Sequence, residues 1–436
     1  MSKDLLARHK AVMPSWLSLL YEEPIELVSG SGRRVLGSDG VTYLDFFGGI
    51  LTTLSGYGVP EVVEAIQAQA SKMIHSSTLY LISPMVELAE KISKLSGIDG
   101  AKVFFTTSGT EANDAALLLA TGLRRSNQIF AIRNSYHGRS FSSLAVTGNR
   151  SYSPTSFSPF NVTYLQGGSR IRGPLANLSD AEYLRRGLED LEDILQTCTA
   201  GNVAALIAEP VQGVGGFSLP PDGYFGAIQE VLAKHGILYI SDEVQTGWGR
   251  TGDHFWGYQA HGVSPDIITF AKGVGNGLAL AGVIAKPEIM DSLGASSIST
   301  FGGSPLASAG GLANIDYLLS KDLQSNALSV GKLLRDRLVA GTQHSKIVAE
   351  IRGKGLMLGV ELCEPNSTVP SPSIASEVSE QAKARKLLVG RGGIAGNVLR
   401  LAPPMSLTED EALEGAELLC AAIANVESTR VSGSEG

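Results

Sequence analysis

The chain has 436 residues, enough for two or three domains or for one large α/β unit with an appendage. With 35 Lys and Arg against 43 Asp and Glu it carries a formal net charge of −8, which argues against a nucleic-acid binder with a basic face. A composition 43% hydrophobic and 18% charged excludes a disordered chain, and 51 glycines, about 12% of residues against a usual ~7%, point to turns and close backbone approaches to a ligand.

The N-terminal MSKDLLARHKAVMPSWLSLLY contains neither an uninterrupted apolar stretch nor a small-residue cleavage site. No run of ~18 uncharged apolar residues follows. Cys198, Cys363 and Cys420 are far apart and odd in number, so neither a disulfide framework nor a Cys-x-x-Cys motif is available. The expectation is a soluble, cytoplasmic chain. Residues 26–46 (ELVSGSGRRVLGSDGVTYLDF) read as a hairpin with Ser-Gly and Asp-Gly turns. Val103–Phe105, Ile129–Ile132, Ala204–Ile207, Ile237–Ile240, Ile267–Phe270 and Gly282–Ala285 read as buried strands, with helix-length segments such as Glu111–Leu123 and Tyr224–His235 between them. Continuous apolar strands alternating with helices predict an α/β fold with a mainly parallel sheet covered on both faces. After residue 310 comes a long helical pattern, then strand-like GLMLGVEL at 355–362 and VLRLAPP at 398–404. Residues 1–60 and 310–436 are read as two parts of one smaller α+β domain flanking a large domain at 61–309.

In such a sheet ligands sit beyond the carboxyl ends of the strands, so the residues just after each run matter most. After Phe105 comes TTSGTEAND, where Ser108, Gly109 and Thr110 offer a phosphate-type helix start or, equally, an ordinary N-cap. Tyr136 and His137 follow Ile132 and can stack on a flat ring or stay structural. Glu209 opens a proline- and glycine-bearing loop, facing either a site or solvent. Asp242 follows the Ile237–Ile240 run, where an unpartnered carboxylate is costly. Lys272 follows Phe270 among small residues. A buried amine there becomes a nucleophile toward carbonyls; otherwise the side chain snorkels out. The ordered set of phosphate cradle, aromatic, carboxylates and lysine matches the needs of pyridoxal phosphate (PLP): N–H groups for the phosphate, a stacking partner and an anion for the pyridine ring, and an amine for the aldehyde.

With YLDFFGGI (43–50), SGTEAN, YHG, AEPVQG, SDEVQTGWGRTG, FAKGVGNG, TFGGSPLASA, RGKGLMLGVEL and LRLAPP in order, almost the whole chain resembles the class III (ω-type, subgroup II) aminotransferases of PLP fold type I. HFWGYQAHGVSPDIITFAKGVGNG is most similar to the alanine–glyoxylate/β-aminoisobutyrate branch, which also contains phospho-lyases. The resemblance implies that Lys272 bonds the cofactor aldehyde and then shuttles the substrate proton, while Asp242 pairs with the pyridinium nitrogen. It implies that Ser108, Gly109 and Thr110 hold the phosphate, Tyr136 stacks on the ring beside His137, Val244 packs the opposite face and Gln245 reaches the phenolic oxygen. Glu209 matches the family's acidic position near Gln245. Thr300 matches a threonine that reaches the phosphate of a partner subunit, which implies a homodimer, and Arg400 matches the arginine that binds a substrate carboxylate.

Three positions depart from the pattern. Val214 stands where members using glutamate or 2-oxoglutarate often carry a Glu that neutralises the arginine, so Arg400 is expected to stay free and the acceptor to be a small keto acid such as pyruvate or glyoxylate. Tyr57 and Ser299 each replace a frequent His and leave the identity of the amine open. Trp16, Tyr21, Phe46, Phe47 and Tyr80 are candidate pocket walls or plain core. The implied reaction is ping-pong transfer from an ω-amino acid, amine or alanine-like donor; a phospho-lyase or dialkylglycine-type decarboxylase on the same scaffold is the alternative. A dinucleotide oxidoreductase fails, because the glycines at 273, 275 and 277 do not open a helix after a first strand. A catalytically dead relative is set against the presence of both Lys272 and Asp242.

Overall fold

The computed structural model describes residues 3–432. Its centre is a seven-stranded sheet in the order Lys102–Thr106, Ala281–Ala285, Ile267–Phe270, Leu238–Asp242, Ala205–Ala208, Gln128–Ile132 and Asn161–Leu165. Neighbours pair in parallel except Ala281–Ala285, which runs against both of its neighbours. Alternation along each strand explains the burial. Ile129, Ala131, Ile207, Ile240 and Ile267 pack with Ala112, Ala116 and Leu117 of the helix Gly109–Arg124. Phe130, Ile132, Leu206, Ile268 and Phe270 face the opposite way, into the larger core with Tyr224, Ile228 and Trp248. Both faces are dry, and at roughly 25 cal/mol per Å² of apolar surface this double burial is the main source of stability.

Two features differ from the sequence expectation. Asn161–Leu165 alternates polar with apolar residues and is only half-buried at the sheet edge, so it lacks the apolar run that marks the interior strands. Ala281–Ala285 is apolar as expected, but its direction is set by the connection from the 3₁₀ turn Lys272–Gly275, which no local pattern encodes.

The two chain ends meet in a second sheet, where Leu387–Leu388 pairs in parallel with Thr42–Asp45, itself the last strand of the meander Leu27–Ser31, Arg34–Gly37, Thr42–Asp45. A third, antiparallel sheet holds Val348–Lys354, Met357–Leu362, Val398–Leu401 and Gly390–Gly392. The helix Pro305–Ser320 packs on Pro60–Lys72 and Ser83–Leu95 and reaches the Lys272 turn. Among the described residues no helix is long and apolar enough to cross a membrane.

Candidate active site

Register brings the strand ends together. Ala208 pairs with Ser241 and Asp242 with Thr269, so Glu209, Asp242 and the Lys272 turn all emerge at the same edge of the sheet. At the start of the helix Gly109–Arg124, Ser108 accepts a hydrogen bond from Glu111 N–H at 3.2 Å, while Glu111 accepts from Thr107 N–H and Oγ1 at 2.8 and 2.9 Å. Ser108 is therefore an N-cap, yet the Gly109 and Thr110 N–H groups of this first turn are not consumed within the helix and remain available to an anion. Gly109 lies directly on the Val244 methyls: a Cβ there would stand 3.0 Å from them and 3.6 Å from Ala271. The phosphate-type cradle, the residue two after Asp242 and the residue before Lys272 thus share one wall.

Asp242 is buried, and its oxygens are fixed by three donors. Oδ2 meets His137 Nδ1 at 2.7 Å and Asn113 Nδ2 at 2.8 Å, and Oδ1 accepts from Val244 N–H at 3.1 Å. Asn113 is itself held, donating to the His137 carbonyl and accepting from Thr269 Oγ1. Oδ1 retains acceptor capacity toward a ring N–H. His137 Nε2 is buried without a partner among the described residues. Glu209 accepts from Tyr136 N–H at 2.9 Å and Gly213 N–H at 2.8 Å. Burial, with Asp242 adding, drives its carboxyl well above the usual carboxylate range, against the His137 charge and these two N–H groups.

Lys272 sits in the left-handed region, at φ 49°, a position that L side chains rarely hold without support. The support is Asn314, whose Nδ2 donates to the Gly273 and Val274 carbonyls at 2.9 and 3.1 Å, while its Oδ1 accepts from Ser55 Oγ. Lys272 is half-buried, and its amine makes no hydrogen bond among the described residues. Burial pushes its pKa down to about 8, with Arg400 adding and Asp242 and Glu209 opposing. A softened amine close to a fixed carboxylate is the donor set that an aldehyde-bearing, ring-nitrogen cofactor requires. The residues present fit PLP.

Opposite stands Arg400, buried between the rings of Phe217 and Phe47, with its guanidinium carbon 4.9 and 5.7 Å from their centroids. Burial lowers its pKa to about 10, against the nearby Tyr152 and Glu209. It is not free as the Val214 position suggested: its Nη2 donates to Gln245 Oε1 at 2.8 Å. That donation turns the amide so that Nε2, a donor, is left over, which suits the acceptor oxygen that the family resemblance assigns to Gln245.

The remaining candidates divide. Thr300 is exposed, but the adjacent Ser299 is tethered, its Oγ donating to Glu111 Oε1 at 2.6 Å. Phe47 borders Arg400, whereas Phe46 is fully buried in the core, and the Tyr21 hydroxyl is engaged with the Val389 backbone. Trp16 and Tyr80 are 69% and 71% exposed, and Trp16 lies 5.7 Å from the Arg139 guanidinium. Tyr57 donates to Asp45 Oδ2 at 2.6 Å while Asp45 Oδ1 accepts from Phe47 N–H, so Tyr57 sets the Phe47 turn. Sequence reasoning missed Phe217, Tyr152 and Asn314. Tyr152 packs edge-on to Tyr136 at 4.9 Å. Phe217 closes the AEPVQGVGG loop at positive φ, a signal visible only in the backbone.

The sequence profile of the class-III aminotransferases matches residues 21–423. Alanine–glyoxylate aminotransferase 2 homolog 2 of Arabidopsis thaliana, a mitochondrial protein, is 37% identical over 94% of this chain and 84% of its own length. An (S)-enantioselective ω-transaminase from Thermomicrobium roseum superposes with a TM-score of 0.89 at 32% identity, over 98% of this chain and 99% of that one. A phospholyase from Arthrobacter, solved with phosphoethanolamine, gives 0.87 at 33% identity, over 97% and 99%.

Proposed function

The chain belongs to the PLP-dependent class-III aminotransferases, and from that premise we propose that it moves an amino group from an alanine-like donor, ω-amino acid or amine to pyruvate or glyoxylate. The observation that carries this reading is Arg400, buried in the cleft without a carboxylate on it, beside Val214 rather than an acidic residue. PLP, when bound, supplies an aldehyde for the amine and a ring that withdraws electrons from the substrate carbon. Lys272 Nζ would hold the aldehyde, and it is the amine placed to take the proton from the substrate carbon and give it back. A pKa near 8 suits that exchange at neutral pH. Asp242, kept in place by His137 and Asn113, would face the ring nitrogen and favour its protonated state. The first-turn N–H groups at Gly109 and Thr110, with Ser108, would hold the phosphate. Tyr136 would cover one ring face and Val244 the other, while Gln245 would donate to the phenolic oxygen. Arg400 orients the carboxylate of donor and acceptor in turn, giving ping-pong kinetics.

The lyase and decarboxylase alternative is not favoured beside the aminotransferase family and relatives. A homodimer fits the surface around Thr300. Ile298 and Phe301 are exposed beside it, and the Phe301 ring meets His75 at 5.0 Å, next to exposed Met73 and Ile74. Three unpaired cysteines fit a reducing compartment such as the cytoplasm. The division into a large unit at 61–309 and a smaller one from both ends is supported by the sheet that joins those ends.

The test is an absorbance spectrum of the purified protein before and after borohydride, followed by peptide mapping. The expected result is an aldehyde-form band that reduction fixes onto Lys272. Incubation with alanine should then bleach that band and release pyruvate. No band after soaking with PLP, or no pyruvate, overturns the reading.

A further inference from the structure

Arg400 has to bind a carboxylate when a substrate brings one and must be held by something else when none is present. Among the described residues it makes no ion pair, and its Nε is buried without an acceptor. Glu209 is near enough for its charge to act on Arg400, but its oxygens accept from the Tyr136 and Gly213 N–H groups and not from the guanidinium. The one polar side-chain partner is Gln245 Oε1, itself buried. The Gln245 amide is wedged in place: a Cβ on Gly213 would fall 2.2 Å from its carbon and nitrogen, so the glycine exists to let the amide lie flat against the loop. With its guanidinium carbon 4.9 Å from the Phe217 ring centre and 5.7 Å from that of Phe47, Arg400 is walled by aromatic surface, and among the described residues Gln245 is its one side-chain hydrogen-bond partner.

We propose that Gln245 is a neutral gate for Arg400, a specificity-determining residue that holds the arginine between half-reactions and yields it to any substrate carboxylate. This rests on the reading of the cleft as the PLP site with Arg400 as its carboxylate-binding group. The physical reason lies in what must be broken. A carboxylate in the gate position would form a buried ion pair, and opening it strands a charge in a dry site. An amide gives one charge-assisted hydrogen bond, weaker than the ion pair that a substrate carboxylate offers in exchange. The gate therefore opens for a substrate carboxylate, and it stays closed, with Arg400 still hydrogen-bonded to Gln245, when the substrate is a plain amine. The same cleft then accepts both.

The experiment is calorimetric titration of the holoenzyme with propionate, which carries the carboxylate but no amine. Wild type, Gln245→Glu and Gln245→Ala are compared, and the cofactor band is recorded for each. The expected order of affinity is Gln245→Ala tightest, wild type next and Gln245→Glu weakest. Gln245→Glu should bind propionate roughly ten- to thirty-fold more weakly than wild type, the difference between opening an ion pair and opening a single charge-assisted hydrogen bond to an amide. A merely structural role would weaken both variants. If both lose affinity, or if neither changes, the gate is wrong. A protein that shows no cofactor band in any form fails the proposed function instead, and the two failures are read separately.

Discussion

On the cofactor wall, Asp242 is tied to His137 and Asn113, Asn113 to Thr269, Glu209 to Tyr136 and Gly213, and the Lys272 turn to Asn314 and Ser55. On the substrate wall, Arg400 has one side-chain hydrogen bond among the described residues and two neighbouring rings, and Tyr152, at 45% exposure, is near enough for its hydroxyl to act on the guanidinium. The first wall is a network in which the carboxylates, amides and backbone N–H groups hold one another, so removing one leaves its neighbours buried and unpaired. The second can be remodelled by one residue. The contrast teaches that chemistry in this cleft is set by a network and substrate choice by a few side chains. Damage to the first wall should lower activity toward every substrate alike, and damage to the second should discriminate among them.

Lys272→Ala is the most severe break. It removes both the group that bonds the cofactor and the one that moves the proton, so turnover with any donor should fall by at least ~10⁴-fold. Borohydride should no longer fix cofactor to the protein, as mass spectrometry of the reduced sample would report. Retention of a measurable rate with only some donors would show that the first wall is not uniform. Asp242→Ala comes next. It removes the anion facing the ring nitrogen and leaves His137 and Asn113 without their acceptor. Single-turnover rates with alanine and with a plain amine should fall together by about 10²- to 10³-fold. A stability loss of about 1–3 kcal/mol for the orphaned donors should appear in chemical denaturation of the cofactor-free protein.

Arg400→Ala is the matching test of the second wall. Single-turnover reaction with alanine should fall roughly 10²-fold, since a buried cation that meets the substrate carboxylate is lost. The amine half-reaction, which needs no carboxylate, should change by less than about threefold. Equal losses on both substrates would erase the distinction between the walls.

Much of the first wall was legible because its residues lie within two positions of strand or helix ends. Apolar runs locate the strands, and the parallel register then brings Glu209, Asp242 and Lys272 to one edge. The second wall was legible at Arg400, through the LRLAPP motif, at Gln245, and at Phe47 only as one of several aromatics that could equally have been core. Phe217 and Tyr152 lie on loops, and their positions depend on long-range packing that no period announces. Asn314 sits mid-helix at a buried position, where a sequence reader sees only a helix former of modest propensity. The Arg400–Gln245 bond joins residues 155 apart in the chain, and neither residue type alone forecasts it.

The Lys272 pKa, pushed down to about 8 from 10.5, is set by burial and by the Arg400 charge across the cleft, so it couples the two walls. Only the neutral amine attacks an aldehyde. In the cofactor-free protein the rate of PLP capture, followed by stopped-flow absorbance, should rise about tenfold per pH unit below 8 and level off above it. The stability consequence has the same sign. Between pH 8 and 10.5 the unfolded chain holds a proton on this lysine that the folded chain has released, so the cofactor-free protein gains stability as pH rises through that window. Arg400→Ala removes the cation and should move the capture midpoint upward. An unchanged midpoint in that variant would mean that burial alone sets the amine and that the two walls act separately.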